Sequence, residues 1–227
     1  MTISARQLEY LDTMGVQVWQ ERGRHETQAP DVDNENLGLE AESLAELHTL
    51  ATDCQRCDAS TTRKQVVFGD GPVQADWLIV GDFPSEEDDF QGRPFTSNAA
   101  RLLSEMLLAI GIKESDSYLT NSVKCYAVSA DSGQAALSSC RPYLLRQIEL
   151  VNPAVILVLG EQAAQSLLKS DGTFATLIGK AQRVDDVSPL IVITHHPRYL
   201  LESPLAKAQA WDAMQLASNI VNNRHVG

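Results

Sequence analysis

The chain has 227 residues, 44% of them hydrophobic, and a formal net charge of −12. That length and apolar content suffice for one domain with a full core plus an appendage. The acidic balance argues against broad, sequence-blind adhesion to nucleic acid, which needs clustered Lys and Arg, but it leaves room for a local basic surface. No apolar stretch is long enough to cross a bilayer. The start, Met1 to Gly15, carries acids and no continuous apolar run, unlike a secretory signal. A cytoplasmic location is the expectation. In that compartment four cysteines are read as thiols or metal ligands before disulfides.

Three parts follow one another. Residues 1–22 predict a short module: a helix with Leu8, Tyr10 and Leu11 on its apolar stripe, a stop at Gly15, then Trp19 beside two valines. Residues 23–41 are polar and poor in aromatics, and from Glu26 to Glu46 there are seven acids and no Lys or Arg. Such a segment buries too little surface to offset its ordering entropy, so a flexible linker is expected. From 42 to 222 helical and strand patterns alternate. A helix leads from Ala41 into Cys54. Strands are expected over 76–82, 117–125, 154–160 and 189–196. Between and after them come a helix capped by Asn98, a helix starting at Arg141-Pro142, a helix from Glu161 and a closing helix from Lys207. The acidic run Glu86–Asp89 reads as a solvated loop. Four apolar strands alternating with helices imply an α/β domain, three layers deep (αβα), around a mainly parallel sheet. Ligands sit at the carboxyl ends of such strands. The segments Gly81-Asp82-Phe83-Pro84-Ser85, Thr120-Asn121 and His195-His196-Pro197 all fall there.

Blocks along residues 50–220 resemble a known family. They are CQRC (54–57), VVFGDG (66–71), GDFPSEEDDFQGRPF (81–95), TNSVKC (120–125), Cys140, LVLG (157–160) followed by QAA, and HPRYLL (196–201). In this order they resemble the uracil-DNA glycosylase superfamily and, within it, the iron–sulfur type 4 group. The resemblance implies hydrolysis of the N-glycosidic bond of deoxyuridine in DNA, on a base extruded from the stack. It also implies that Cys54, Cys57, Cys125 and Cys140 ligate a [4Fe–4S] cluster, four soft thiolates being what a cubane takes. From the residues alone, a zinc site or four unconnected thiols stays open. By the same resemblance Phe95 stacks on the base, Asn121 reads its polar edge, and His196 donates to a uracil oxygen as charge develops. Asp82 orients water, and the backbone from Gly81 through Phe83 and Pro84 to Ser85 approaches base and phosphate. Arg198, Tyr199 and Leu200 press into the duplex. The first motif departs from the family's usual G-E-[AG]-P-G: Asp82 is one methylene shorter, Phe83 replaces a small residue, and Ser85 replaces glycine. These changes fit either a shifted base preference or a pocket without catalysis.

The N-terminal module resembles a second family, the psi subunit of the bacterial replicative polymerase clamp loader. Leu8, Leu11, Met14, Gly15, Val16, Trp19 and Arg22 carry this likeness. It implies docking on the chi subunit, with Trp19 as the anchor. The alternative function is then a catalytically inactive replisome adaptor. In a combined form, the glycosylase is tethered to the replisome. A helix packing on its own core is the plainer expectation for the same residues.

Overall fold

The structure is a computed structural model and describes residues 40–127, 133–168, 173–184 and 187–226. The expected docking module, with Leu8, Leu11, Met14, Val16 and Trp19, and nearly all of the expected linker lie outside the described residues. The end of the linker does not. Ala41 is buried, and its carbonyl accepts two hydrogen bonds from the Arg146 guanidinium, at 2.9 and 2.7 Å.

The sheet has five strands: β1 (Trp77–Gly81), β2 (Ser117–Asn121), β3 (Val155–Leu159), β4 (Ala181–Val184) and β5 (Val187–Thr194), in the order β2-β1-β3-β5-β4. β2, β1, β3 and β5 run parallel, as expected, and β4 pairs antiparallel with β5. Every residue of β1, β2 and β3 is buried, because helices cover both faces, and this is why β1 and β3 read as continuous apolar runs, while β2 buries Ser117, Thr120 and Asn121 beside Tyr118 and Leu119. β4 corrects the expected count of four. Its sequence Ala-Gln-Arg-Val alternates exposed and half-buried positions and includes Arg183, so this edge strand lacks the apolar run that marks the others. β2 also stops at Asn121 instead of continuing to Cys125. Ser122 and Val123 instead donate their N–H groups to Gly81 O and Asp82 O, at 2.8 and 3.2 Å.

One face of the sheet packs Leu78, Val80, Ile156, Val158, Ile191 and Ile193 against α5 (Gly133–Val151), α6 (Glu161–Leu168) and α7 (Phe174–Leu177). The other packs Ile79, Leu119, Val155, Leu157, Leu159 and Val192 against α4 (Asn98–Ala109) and α9 (Lys207–Val226). A third cluster joins α1 (Leu44–Thr52) to Val66, Phe68 and Tyr143. Burying each such Leu, Ile or Val side chain contributes about 1.5–3 kcal/mol.

Three local expectations are corrected. The cap of α4 is Ser97, not Asn98, which is the first helical residue. α5 begins at Gly133, before Arg141, with Pro142 inside the helix. Inside the helix the Pro142 ring leaves out one main-chain hydrogen bond, yet the helix runs on through it. Finally, Glu86–Asp89 is no solvated loop. It opens α3 (Glu86–Gln91), where Ser85 and Asp88 form a reciprocal capping box and Gly92 ends the helix in a left-handed conformation, φ 69°. Asp88 and Asp89 are 5% and 2% exposed. Two carboxylates this deep need partners, and main-chain N–H groups supply them. Asp89 accepts from Lys64 N and Gln65 N, at 3.0 and 3.4 Å.

Candidate functional site

Gly81 ends β1 and Asn121 ends β2, and the two are directly opposite in the parallel register. A Cβ on Gly81 would collide with the Asn121 carboxamide oxygen and come within 2.8 Å of Phe95 Cζ. The glycine therefore lets an amide and an aromatic ring meet over the sheet edge. Asn121 is 2% exposed, and its Nδ2 has no hydrogen-bond partner among the described residues. A buried amide donor left open costs about 1–3 kcal/mol, and at a strand's carboxyl end beside Phe95 it is free to meet a ligand. The Asn121 main chain is tied down: the buried Lys124 ammonium donates to Asn121 O at 2.6 Å and to Thr120 Oγ1 at 2.7 Å. Thr120 Oγ1 in turn donates to Phe68 O at 2.7 Å. Phe95 itself is held at φ 56°, a left-handed conformation that costs a bulky side chain about 1–3 kcal/mol and collects at functional sites.

His196 follows β5 and caps α8 (Pro197–Glu202), with Pro197 as the first helical residue. Its ring lies nearly parallel to Phe95, centroids 6.5 Å apart and planes 21° apart. Arg198 N donates to its Nδ1 at 3.1 Å. Burial, helped by the Arg198 charge and opposed by Asp88, pulls the imidazole down to about 4. The ring is therefore neutral at physiological pH. Since Nδ1 accepts, the proton sits on Nε2.

Next to this tight pocket opens a cleft of about 540 Å³, lined by Asp82, Phe83, Pro84 and Ser85 on one side and by His196, Arg198 and Tyr199 on the other. His196 belongs to both. Asp82 Oδ1 accepts from Ala163 N, in the first turn of α6, at 2.6 Å. Gly160, at φ +103°, carries no Cβ, which would collide with this carboxylate. Burial pushes Asp82 up to about 6, opposed by the Ala163 N–H and by Arg198. An acid raised in the folded state contributes stability that is present below about 3.8 and is lost as pH rises through about 6. Asp82→Asn should therefore be more stable than the parent near neutral pH, by up to about 2–3 kcal/mol, with the gain gone near pH 4. Urea unfolding at the two pH values checks this. A variant less stable than the parent at neutral pH would contradict it.

Most residues singled out in the sequence converge: Gly81, Phe95, Asn121 and His196 in the pocket, Asp82 to Ser85 and Arg198 along the cleft. Leu200 does not. It is 1% exposed, on the inner face of α8, and cannot press into a duplex. Its neighbours Tyr199 and Leu201, 47% and 50% exposed, hold the outward positions. Sequence reasoning also missed Tyr126, Gln162 and Glu202 on the cleft wall. Tyr126 could have been found from its place directly after Cys125.

The cysteines come from three segments, Cys54 and Cys57 sharing one. Cys54 follows α1, Cys57 precedes α2 (Ala59–Thr62), Cys125 follows the Asn121 turn, and Cys140 lies within α5. All are free thiols. Cys54 and Cys57 both act electrostatically on Cys125, and Cys57 and Cys125 act on Cys140. Among the described residues, no three His, Cys, Asp or Glu side chains are grouped to share a single metal ion. Donors already face the sulfurs: the Arg63 guanidinium to Cys125 Sγ at 2.9 Å, Ala59 and Ser60 N–H to Cys57, and Lys124 N–H to Cys140. Four thiols with the Arg63 guanidinium and the Lys124 N–H facing them are a soft, sulfur-only donor set whose chemistry fits an anionic metal group.

A family model described as the Uracil DNA glycosylase superfamily matches residues 68–215. The chain is similar to the Type-4 uracil-DNA glycosylase of Pyrobaculum aerophilum, 32% identical over 173 residues, covering 73% of this chain and 88% of that one. It is also similar to that of Archaeoglobus fulgidus, 33% over 170 residues, 72% and 85%. The Thermotoga maritima protein of the same name is 36% identical over 155 residues, 66% and 79%. The match takes in β1 through the first half of α9, and with them every pocket and cleft residue named above. With this sheet order and this convergence at its carboxyl edge, the chain belongs to the uracil-DNA glycosylase superfamily.

Proposed function

We propose that the protein hydrolyses the N-glycosidic bond of deoxyuridine in DNA, the first step of base excision repair. One observation carries this reading: an open buried amide (Asn121), a ring held in a strained backbone (Phe95) and a neutral imidazole (His196) meet where Gly81 removes a side chain. These are the three groups needed to read, sandwich and discharge a flipped pyrimidine. The names of its relatives support the same activity.

Asn121 pairs with the polar edge of the base and Phe95 covers its face. As the bond between the base nitrogen and the sugar C1′ breaks, the electron pair moves into the base. The His196 Nε2–H then donates to the oxygen where the charge gathers, without itself being a cation. Asp82, ionised above about pH 6, stabilises the developing positive sugar and holds the water whose oxygen bonds to C1′. The water gives up a proton to Asp82, and that proton passes on to the departed uracil anion. Outside the pocket, Arg198 meets phosphate, Tyr199 keeps the wedge role expected of it, and the exposed Leu201 takes that of Leu200. Cys54, Cys57, Cys125 and Cys140 would hold a [4Fe–4S] cluster. That group supplies a cross-link between the α1 segment and the loop behind Asn121, and takes no part in bond breaking.

Release of free uracil from single-stranded and duplex DNA containing it is the deciding assay. The rate should rise with pH through about 6, as Asp82 ionises, and then level off, since His196 is neutral throughout that range. No release at high enzyme concentration, from protein with its iron and sulfide intact, would overturn the proposal.

A further inference from the structure

The buried carboxylate of Asp88 is not accounted for by any step above. One of its oxygens, Oδ2, accepts from Ser85 N at 2.8 Å, at the end of the Gly81–Ser85 segment. The other, Oδ1, accepts from both Thr96 N and Thr96 Oγ1 at 2.7 Å. Thr96 is the residue directly after Phe95. A single side chain thus bridges the two loops that flank the base pocket, and it grips the chain one residue beyond the left-handed Phe95. Asp88 also acts electrostatically on His196, so it stands behind both aromatic members of the pocket.

We propose that Asp88 is a positioning residue that locks the Phe95 ring in place before any base arrives. A helical capping residue needs only its bond to Ser85. The double bond to Thr96, eight residues away, does nothing for α3 and fixes the backbone that Phe95 strains against. The proposal rests on the reading of Phe95 as the platform for a flipped base, because only then does a pre-set ring matter for binding. Pre-organisation of this kind acts on affinity by removing the ordering cost from the binding step.

The test pairs Asp88→Asn with Asp89→Asn. Asp89 is as deeply buried and is likewise bonded to main-chain N–H groups, but those belong to Lys64 and Gln65. An amide cannot accept at both ends of the bridge, so Asp88→Asn loses one set of bonds while keeping size and shape. Two readouts are taken. The first needs no ligand: the protein is labelled with fluorophenylalanine, which reports on its five phenylalanines, and the Phe95 resonance is assigned by Phe95→Leu. It should shift or broaden in Asp88→Asn and stay unchanged in Asp89→Asn. The second is the KM for uracil-containing single-stranded DNA, which should rise at least tenfold in Asp88→Asn, more than kcat falls. In Asp89→Asn the melting temperature should drop while KM holds. Thr96→Ser, which keeps both donors, should behave as the parent. A Phe95 resonance unmoved by Asp88→Asn overturns the proposal, as does an equal KM change in the two variants. If the parent releases no uracil, the enzyme reading fails by itself, and the fluorine spectrum still decides whether Asp88 locks Phe95.

Discussion

Replacing His196 by alanine should slow uracil release by about 10²–10³-fold under single-turnover conditions, or about 2.7–4 kcal/mol of transition-state stabilisation. The size follows from what the ring does. Its Nδ1 is already engaged by Arg198 N, so the neutral imidazole can only donate through Nε2. A donor aimed at charge that exists only in the transition state affects the rate and leaves ground-state binding nearly alone. The loss should thus fall on kcat, with substrate affinity changed little. Part of any fall in stability is separate: His196 also caps α8, and removing a cap costs about 1 kcal/mol. Measuring the rate at saturating enzyme, well below the melting temperature, isolates the chemical effect. A drop of less than tenfold would show that the leaving base is stabilised elsewhere.

The second large effect is expected at Cys140. Substitution by alanine removes one sulfur from a residue that is 4% exposed. If the thiol were only packing, the loss would be about 1 kcal/mol, the scale of deleting a single buried group. If it ligates the proposed cluster, the site loses a quarter of its ligands. Stability should then fall by about 4 kcal/mol or more, a size reserved for loss of a metal, a core or a buried charge pair. For a chain of this length that is a drop of about 8–16 °C in melting temperature. Iron and acid-labile sulfide per chain should fall with it. The same substitution in iron-depleted protein should cost only the smaller amount. Full iron content and a parent-like melting temperature in Cys140→Ala would remove Cys140 from the ligand set.

The parallel strands were legible because burial on both faces leaves an unbroken apolar signature, as in Leu78-Ile79-Val80 and Val155 to Leu159. β4 was not, since an edge strand needs only half of its residues inside. The pocket residues were legible through order and spacing: each lies just past a strand end or in a motif block. Leu200 shows the limit of that reading. A resemblance places a residue in a segment, but the helical turn decides which of two adjacent leucines faces the core. Asp88 and Asp89 show another. Four consecutive acids look solvated because no local pattern tells which main-chain N–H groups from residues 64, 65 and 96 will come to meet them. The Ser85-x-x-Asp88 spacing did carry a signal, that of a capping box; it announces a helix start but not the bridge to Thr96.

The sheet order also sets when the protein can act. Gly81, Phe95 and Asn121 are made early, but His196 follows β5, which adds to the sheet through β3. β3 and β5 are covered on one face by α9, through Ala213, Met214 and Ala217. During synthesis, the ribosome must deliver the chain through α9 before the imidazole can stand over the aromatic ring. Contacts this distant in sequence form late and together. With the roles proposed above, a nascent or truncated chain ending before β5 carries the proposed base-reading residues without His196. Uracil release is then expected only from the completed domain.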